Sequence, residues 1–389
     1  MNNRKTKIIR MTTVAGSLRK LLGSQLVFMK SHYNILLSAN NKNEELSKLG
    51  KQLDLETRAI PLTREITPIK DLISLFITVK LFLKEKPFIV HTHTPKAGII
   101  GMLAAKIAFV PNRLHTVAGL PLVVATGKKR KVLNFVERLT YSCATKVYPN
   151  SLGLKEIIIK EKLIKSPDKL KVLGYGSSNG IDTDYFSKNQ ISETVINEVK
   201  KEISFSEKDF LFIFIGRIVK DKGINELAEA FQNLQKDNKN IKLILLGRYE
   251  DQLNPISEIS KKIINTNSRI IHLGFKEDVR PYLAVSHVMV FPSYREGFPN
   301  VVMQACAMEV PSIVTNINGC NELIENQESG LIIPVKDSKN LYESMKTMIS
   351  NKENLNSYGI KGRNEVISKF KQEFVWEELL KEYKACENV

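Results

Sequence analysis

Disulfide and zinc chemistry have little to work with in this sequence. Its 389 residues hold four cysteines, Cys143, Cys306, Cys320 and Cys386, with no CxxC pair and no histidine at ligand spacing beside them. Such scattering supports neither a disulfide framework nor a zinc site, and it points to a reducing cytoplasm. Tryptophan occurs once, at Trp376. Long apolar runs are also missing: the longest, Leu72 to Leu83, is interrupted by Lys80 and is too short to span a bilayer. The opening stretch MNNRKTKIIRMTTV is basic and then strand-like, without the apolar segment of a secretory signal. Acidic residues are scarce in one half only. Residues 1–185 carry 31 Lys and Arg against 13 Asp and Glu, whereas residues 186–389 carry 27 against 28, so the whole net charge of +17 belongs to the first half.

That asymmetry predicts an anionic partner for the first half and none for the second. No nucleic-acid motif interleaves with the basic residues, so nucleic acid is not expected. An anionic membrane face fits better, because basic and apolar residues alternate in Ile69–Lys86 and in Lys128–Lys146. Both read as amphipathic helices, although such helices usually pack on their own domain. The expected location is cytoplasmic, peripheral on the inner membrane face. A length of 389 residues and an apolar fraction of 43% predict a globular chain of two domains.

Short apolar runs alternate with helical patterns along the first half. Strands are expected at Ile8–Thr13, Ile35–Ser38, Thr57–Ile60, Phe88–His91, Arg113–Val117, Lys146–Pro149 and Lys171–Leu173. A turn is expected at Val14–Ser17, and helices at Ile69–Lys84, Gly98–Phe109 and Val132–Cys143. The Gly-, Ser- and Asn-rich stretch GYGSSNGIDTDYF from Gly174 has turn chemistry and marks the domain connection. The pattern restarts with FLFIFI (Phe210–Ile215), an unbroken run suited to a strand buried on both faces. Strands follow at Lys242–Leu246, Ile270–Leu273, Val288–Phe291 and Ser312–Thr315, and a last helix at Phe370–Lys384. The reading is α/β: residues 1–185 and 186–368 form two facing doubly wound domains with parallel sheets, and residues 369–389 form a helix packing back on the first.

In such sheets ligands bind beyond the carboxyl ends of the strands. The stretch VFPSYREGFPNVVMQACAM, Val290 to Met308, is a strand end, a polar turn with Arg295 and Glu296, and a helix opened by Pro299. A carboxylate before a helix whose first N–H groups (Asn300, Val301, Val302) are free can hold a polyol and a phosphate together. A plain surface loop is the other reading of this stretch. After FLFIFI comes GRIVKDKG, where Arg217 and Lys222 lie between Gly216 and Gly223. An Arg fork and an ammonium suit a diphosphate, and glycines allow close backbone approach. Gly247–Glu250 is a weaker strand-end turn, and Gly274–Val279, with Phe275, could cover a nucleobase.

GRIVKDKG, LGF-KEDV and EGFPNVVMQACAM, in this order and spacing, resemble the nucleotide-sugar half of retaining glycosyltransferases of family 4, which have the GT-B fold. The Gly16 turn, HTHTPKAG, RLHTVAGLP and NGIDTDYF match the other half, and the likeness is greatest to enzymes of bacterial surface polysaccharides or lipid-linked glycans. The resemblance implies that Arg217 and Lys222 hold and neutralise the donor diphosphate and that Glu296 binds hydroxyls of the transferred sugar. It implies further that the amides of Gly297, Phe298, Asn300 and Val301 line that sugar and its phosphates, and that His115 lies beside the anomeric carbon. Gly16 would approach the diphosphate or the acceptor, and His93 and Lys96 are candidates for the acceptor pocket. Where the family has a second glutamate, this chain has Gln304, whose amide can still accept one hydroxyl hydrogen bond and donate another. Asp182 and Asp184 imitate a metal-binding DxD but follow an Asn-Gly turn, so neither a metal nor another cofactor is expected.

The implied reaction moves a hexose or N-acetylhexosamine from a nucleoside-diphosphate sugar, UDP being the expected base, to a saccharide or polyprenyl-diphosphate-linked acceptor. No carboxylate stands out as a double-displacement nucleophile, so the expected course is front-side attack. A sugar-nucleotide epimerase of the same fold and a non-catalytic peripheral binding protein are the alternatives; the first would act without an acceptor, and the second would bind without transfer.

Overall fold

The computed structural model describes residues 5–65, 67–252 and 254–388; the first four residues of the basic opening stretch lie outside them, with Ile66, Leu253 and Val389. The chain divides into two units. Unit 1 runs to Gly180 and takes back the segment from Gln372 onward, and unit 2 is Ile181–Lys371.

Unit 1 is a six-stranded sheet of order β3-β2-β1-β4-β5-β6, every pairing parallel. Its strands are β1 (Lys7–Val14), β2 (Asn34–Asn40), β3 (Glu56–Ala59), β4 (Ile89–Thr92), β5 (Asn112–Val117) and β6 (Lys146–Pro149). Helices α1 (Ala15–Leu22), α2 (Ser24–His32) and α3 (Glu45–Leu53) place Leu18, Leu26 and Leu49 in one core, which the C-terminal helix (Gln372–Glu387) completes with Leu379 and Tyr383. Helices α4 (Pro68–Glu85), α5 (Pro95–Ile107) and α6 (Gly127–Cys143), followed by α7 (Leu152–Lys160), contribute Phe82, Ile100, Tyr141 and Ile158 to a second core. Parallel crossovers of one hand put the two helix sets on opposite faces once the strand order reverses beside β1.

Unit 2 repeats the plan with the order β12-β11-β10-β7-β8-β9. Its strands are β7 (Phe210–Ile215), β8 (Ile241–Leu246), β9 (Ile270–Gly274), β10 (Val288–Phe291), β11 (Ser312–Thr315) and β12 (Gly330–Ile333). The helices are α8 (Glu193–Glu202), α9 (Ile224–Asp237), α10 (Glu258–Thr266), α11 (Arg280–Val285), α12 (Asn300–Ala307), α13 (Cys320–Leu323), α14 (Ser338–Ser350) and α15 (Leu355–Phe370). All six residues of FLFIFI are buried, as its lack of alternation predicts for a central strand.

Two sequence expectations are corrected, one helix start shifts and one strand is added. Gly16 is not in a turn: it lies in the first turn of α1, and the break falls at Gly23, whose φ of +38° separates α1 from α2. Lys171–Leu173 is no strand, only the continuation of a single bridge between Val147 and Leu170. The last helix starts at Gln372, two residues later than expected, because Phe370 still belongs to α15. Finally, β12 was not foreseen; it is a four-residue edge strand whose Gly330 lies too close to the Ser312 carbonyl to admit a side chain.

Candidate active site

In each sheet the strand order reverses once, between β1 and β4 and between β7 and β10, and such switch points open a crevice at the strand ends. In unit 2 the loops leaving β7 and β10 meet there. The first makes a tight turn at Lys220–Lys222 and closes at Gly223, whose φ of +71° and contact with the Pro292 carbonyl leave no room for a side chain. Asp221 ties the loops: its carbonyl accepts from the Tyr294 amide (2.8 Å), and its carboxylate accepts from Arg295 Nε (3.3 Å). The Tyr294 hydroxyl in turn donates to Glu226 on α9 (2.6 Å).

This tie brings Lys222 and Glu296 together. The ammonium contacts Glu296 Oε1 and stands 4.9 Å above the Phe291 ring. Glu296 Oε1 also accepts from Ser293 Oγ at 2.8 Å, and Asn318 Nδ2 donates to the Glu296 carbonyl. Both charged side chains are mostly buried, so the carboxylate is held by an ammonium and a hydroxyl at once. Arg217 is differently placed. Its side chain is 50% exposed, and Nη1 donates to Glu250 Oε2 at 2.6 Å, in the turn after β8.

Helix α12 begins at Asn300, with Pro299 as its cap and not its first residue. The Val302 amide is therefore spent on the Pro299 carbonyl (3.1 Å), which corrects the expectation that it is free; Asn300 and Val301 head the helix. Gly297 and Phe298 are buried, the Phe298 ring lying 4.9 Å from that of Phe370. Gln304 is half-buried one turn along α12. Gly216 follows β7, its amide donating to the Leu246 carbonyl (2.9 Å). Phe275 is exposed, with the Arg248 guanidinium 5.0 Å over its ring.

In unit 1, His115 on β5 is buried, with Nδ1 2.7 Å from Thr92 Oγ1 and Gly98 of α5 against its ring. Burial pushes its imidazole down to about 4, so it is neutral at physiological pH. His93 follows β4 at the switch point and accepts from Arg10 Nε (3.1 Å), while Arg10 Nη2 donates to Gln25 Oε1 (2.8 Å). Arg10 is fully buried in the central strand, and its Nη1 and His93 Nδ1 have no partner among the described residues. His91, its ring tilted against that of His93 at 4.2 Å, bonds to the Tyr383 hydroxyl (2.7 Å); burial holds both imidazoles well below their usual range. Lys96 is paired with Asp71 of α4. Asp182 Oδ1 accepts from the amides of Asp184 (3.1 Å) and Tyr185 (2.8 Å), a loop-closing turn. No group of three or more metal-ligating side chains occurs among the described residues.

Comparison with known proteins decides the family. The model for glycosyl transferases group 1 matches residues 195–365, and that for glycosyl transferase 4-like proteins matches residues 24–151. The capsular polysaccharide biosynthesis glycosyltransferase CapM of Staphylococcus aureus is 36% identical over 96% of this chain and 95% of its own length. The chain belongs to the family 4 glycosyltransferases. A second relative of this glycosyltransferase is the UDP-Gal:alpha-D-GlcNAc-diphosphoundecaprenol alpha-1,3-galactosyltransferase of Escherichia coli, 32% identical over 84% of each chain. Among solved structures, that of Anabaena HepE in complex with UDP superposes with a TM-score of 0.78 over 98% of this chain and all of the other, at 17% identity. A Rickettsia africae glycosyltransferase gives 0.79 over 98% of each, at 18%. The glycosyltransferase thus has the GT-B fold.

Ser293, Asn318 and Asp221, which hold the Glu296 turn, escaped the sequence reading, as did buried Arg10. Their short polar side chains look like loop residues until the partners, 22 positions away for Asn318, are in contact.

Proposed function

We propose that this glycosyltransferase moves a hexose or N-acetylhexosamine, with retention at the anomeric carbon, from a UDP-sugar to a lipid-linked saccharide in the assembly of a bacterial capsule or related polysaccharide. The activities of the relatives support the acceptor and the donor: the Escherichia coli enzyme acts on a diphosphoundecaprenol-linked sugar, as does a Campylobacter jejuni N-acetylgalactosaminyltransferase that is 26% identical over 79% of this chain. The site of action would be the cytoplasmic membrane face, where a nucleotide sugar and a lipid-linked acceptor can meet.

The observation that carries the reading is the convergence of Lys222, Glu296 and the head of α12 at one switch point, with Arg217 at the end of the neighbouring strand. Breaking the bond to a diphosphate develops negative charge on the leaving oxygen and positive charge on the sugar ring. In the proposed mechanism Arg217, Lys222 and the amides of Asn300 and Val301 stabilise the diphosphate as it departs, doing with fixed cations what a divalent ion does elsewhere. Glu296, already oriented by Ser293 and Asn318, receives the sugar hydroxyls, with the Gly297 and Phe298 amides beside it. Gln304 takes the ribose, and Gly216 and Phe275 the rest of the nucleotide. His115 stands by the anomeric carbon as a neutral hydrogen-bonding group. Front-side attack lets the leaving phosphate oxygen take the acceptor proton, and His93, Lys96 and Gly16 belong to the acceptor side.

The test is a thermal-shift panel of nucleoside diphosphates and nucleotide sugars, because a ligand that binds only the folded state raises the midpoint. NMR of the product of the best donor then gives its anomeric configuration. UDP and one UDP-sugar should shift the midpoint most and the product should retain configuration; an inverted product, or Arg217→Ala and Lys222→Ala enzymes with near-normal turnover, would overturn the mechanism.

A further inference from the structure

Helix α4 is apolar on both sides: Leu75, Val79, Leu81 and Phe82 pack into the core of unit 1, and polar groups are buried beside them. Its buried residues include Ser74 and Thr78, the first donating to the Pro61 carbonyl (2.9 Å) and the second to the Ser74 carbonyl (2.6 Å). Its two acidic residues are turned the same way and engaged, Asp71 with Lys96 and Glu85 with Lys7 and Arg58. The opposite side carries Ile69 (77% exposed), Leu72, Ile73, Phe76 (60%), Ile77 and Leu83. At 100° per residue these six fall in one stripe, and exposed Lys70, Lys80 and Lys84 lie within it or along its edge. Lys80 Nζ rests 4.4 Å over the Phe76 ring, its aliphatic stem lying along the apolar surface. In the last turn of α4, Leu83 shares a shallow groove of about 370 Å³ with Phe109, which is 88% exposed.

With Leu75, Val79, Leu81 and Phe82 already serving the core, the six large apolar side chains on the water-facing side have no partner in unit 1, and a contiguous patch of this kind marks a contact surface. The occupant follows from the charge. Every formal charge left on the outward side of α4 is positive, and those charges stand within and beside the apolar stripe. We propose that this face of α4 docks the enzyme on an anionic bilayer, with Phe76, Leu72 and Ile73 among the acyl chains and Lys70, Lys80 and Lys84 at the phosphate level. A second copy fits worse, because a two-fold contact would set these lysine rows against each other with no carboxylate between them. The docking deepens the lipid-linked reading of the acceptor given above and rests on it for its purpose, though not for its physics. Among the described residues no helix is long and apolar enough to cross a membrane, so attachment through α4 is interfacial.

Vesicle flotation tests the proposal on the full-length protein, with phosphatidylcholine vesicles and with an equimolar mixture of phosphatidylcholine and phosphatidylglycerol. Wild type should float with the anionic vesicles and lose most of that binding in high salt. Leu72→Glu/Phe76→Glu should lower the partition coefficient by about ten-fold or more, and Lys80→Glu/Lys84→Glu by roughly five-fold per lysine. Ile259→Glu, an exposed apolar site on α10 of unit 2, should float as wild type does. Thermal midpoints of the α4 variants should match wild type, since the altered side chains are exposed, and so should transfer to a water-soluble acceptor analogue. Wild type that stays free of anionic vesicles, or α4 variants that float like wild type, overturns the docking. So does a wild-type dimer that the Leu72→Glu/Phe76→Glu change converts to monomer without altering flotation. Flotation that behaves as expected in a protein that transfers no sugar would instead sink the transfer reading and leave the docking intact.

Discussion

Lys222 and Glu296, 74 residues apart in the chain, share one contact at the strand ends of unit 2. The family resemblance gives them separate tasks, diphosphate for one and sugar hydroxyls for the other, yet each is the other's counter-charge in a mostly buried setting. Truncating either leaves its partner buried and unpaired. Lys222→Ala and Glu296→Ala are each expected to lower kcat/KM by about a hundred-fold or more, in the range seen when a positioned transition-state group is lost. The double variant should lose much less than the product of the two. A steady-state double-mutant cycle with the best donor checks this, and strictly multiplicative losses would show that the pair acts independently.

Arg217 is engaged by Glu250, and in the proposed mechanism it exchanges that partner for a diphosphate. The pair is half exposed, so its own strength is no more than about 1 kcal/mol. Glu250→Gln should therefore tighten UDP binding by about two- to five-fold at low salt, with the gain fading as salt rises. Arg217→Ala should weaken it. Isothermal titration with UDP reads both changes, and weaker binding in Glu250→Gln would mean that the carboxylate itself holds the ligand.

Gly98 and Gly16 should respond oppositely to the same change. A Cβ at Gly98 would lie 2.5 Å from His115 Cε1. Gly98→Ala should cost about 1–3 kcal/mol through overpacking and should displace the imidazole, reducing turnover. Gly16 is helical with nothing within 4 Å of a built Cβ, so Gly16→Ala should raise stability by about 0.5–1 kcal/mol. If the helix head at Gly16 approaches a ligand, activity falls all the same. Thermal midpoints and turnover of the two variants, measured together, separate packing from function.

Stability should fall on both sides of a pH optimum, for separate causes. Burial pushes the Glu137 carboxyl up to about 7 from 4.5, partly opposed by the Tyr141 hydroxyl. A raised carboxyl favours folding fully below the unfolded value and loses that advantage as pH climbs from about 4.5 to 7. The neutral imidazoles work the other way: His115, lowered from 6.5 to about 4, destabilises the fold as pH drops through that interval, and His91 and His93 add to it. Glu137→Gln should thus raise stability near about pH 8 by on the order of 3 kcal/mol, seen as a higher thermal midpoint, and lose that advantage near about pH 4.5. An equal effect at both pH values would assign it to packing.

Much of this molecule was readable along the chain. Apolar runs such as FLFIFI, and the spacing of helices between them, determine two parallel sheets, because only a strand covered on both faces tolerates an unbroken run of six. The strand-end positions of Arg217, Lys222 and Glu296 follow from the same alternation. Short or edge features did not declare themselves: β12 has four residues, and the Gly16 turn and the Pro299 start were misread because local propensity fixes element ends only loosely. The clamp of Ser293, Asn318 and Asp221 and the burial of Arg10 needed the fold, since distant segments supply their partners. The fold alone also decided which way α4 faces. A helical repeat of apolar residues is silent about its direction, and α4, apolar nearly all round, turns Leu75, Val79 and Phe82 with Ser74 and Thr78 to the core and leaves Ile73, Phe76 and Ile77 outward.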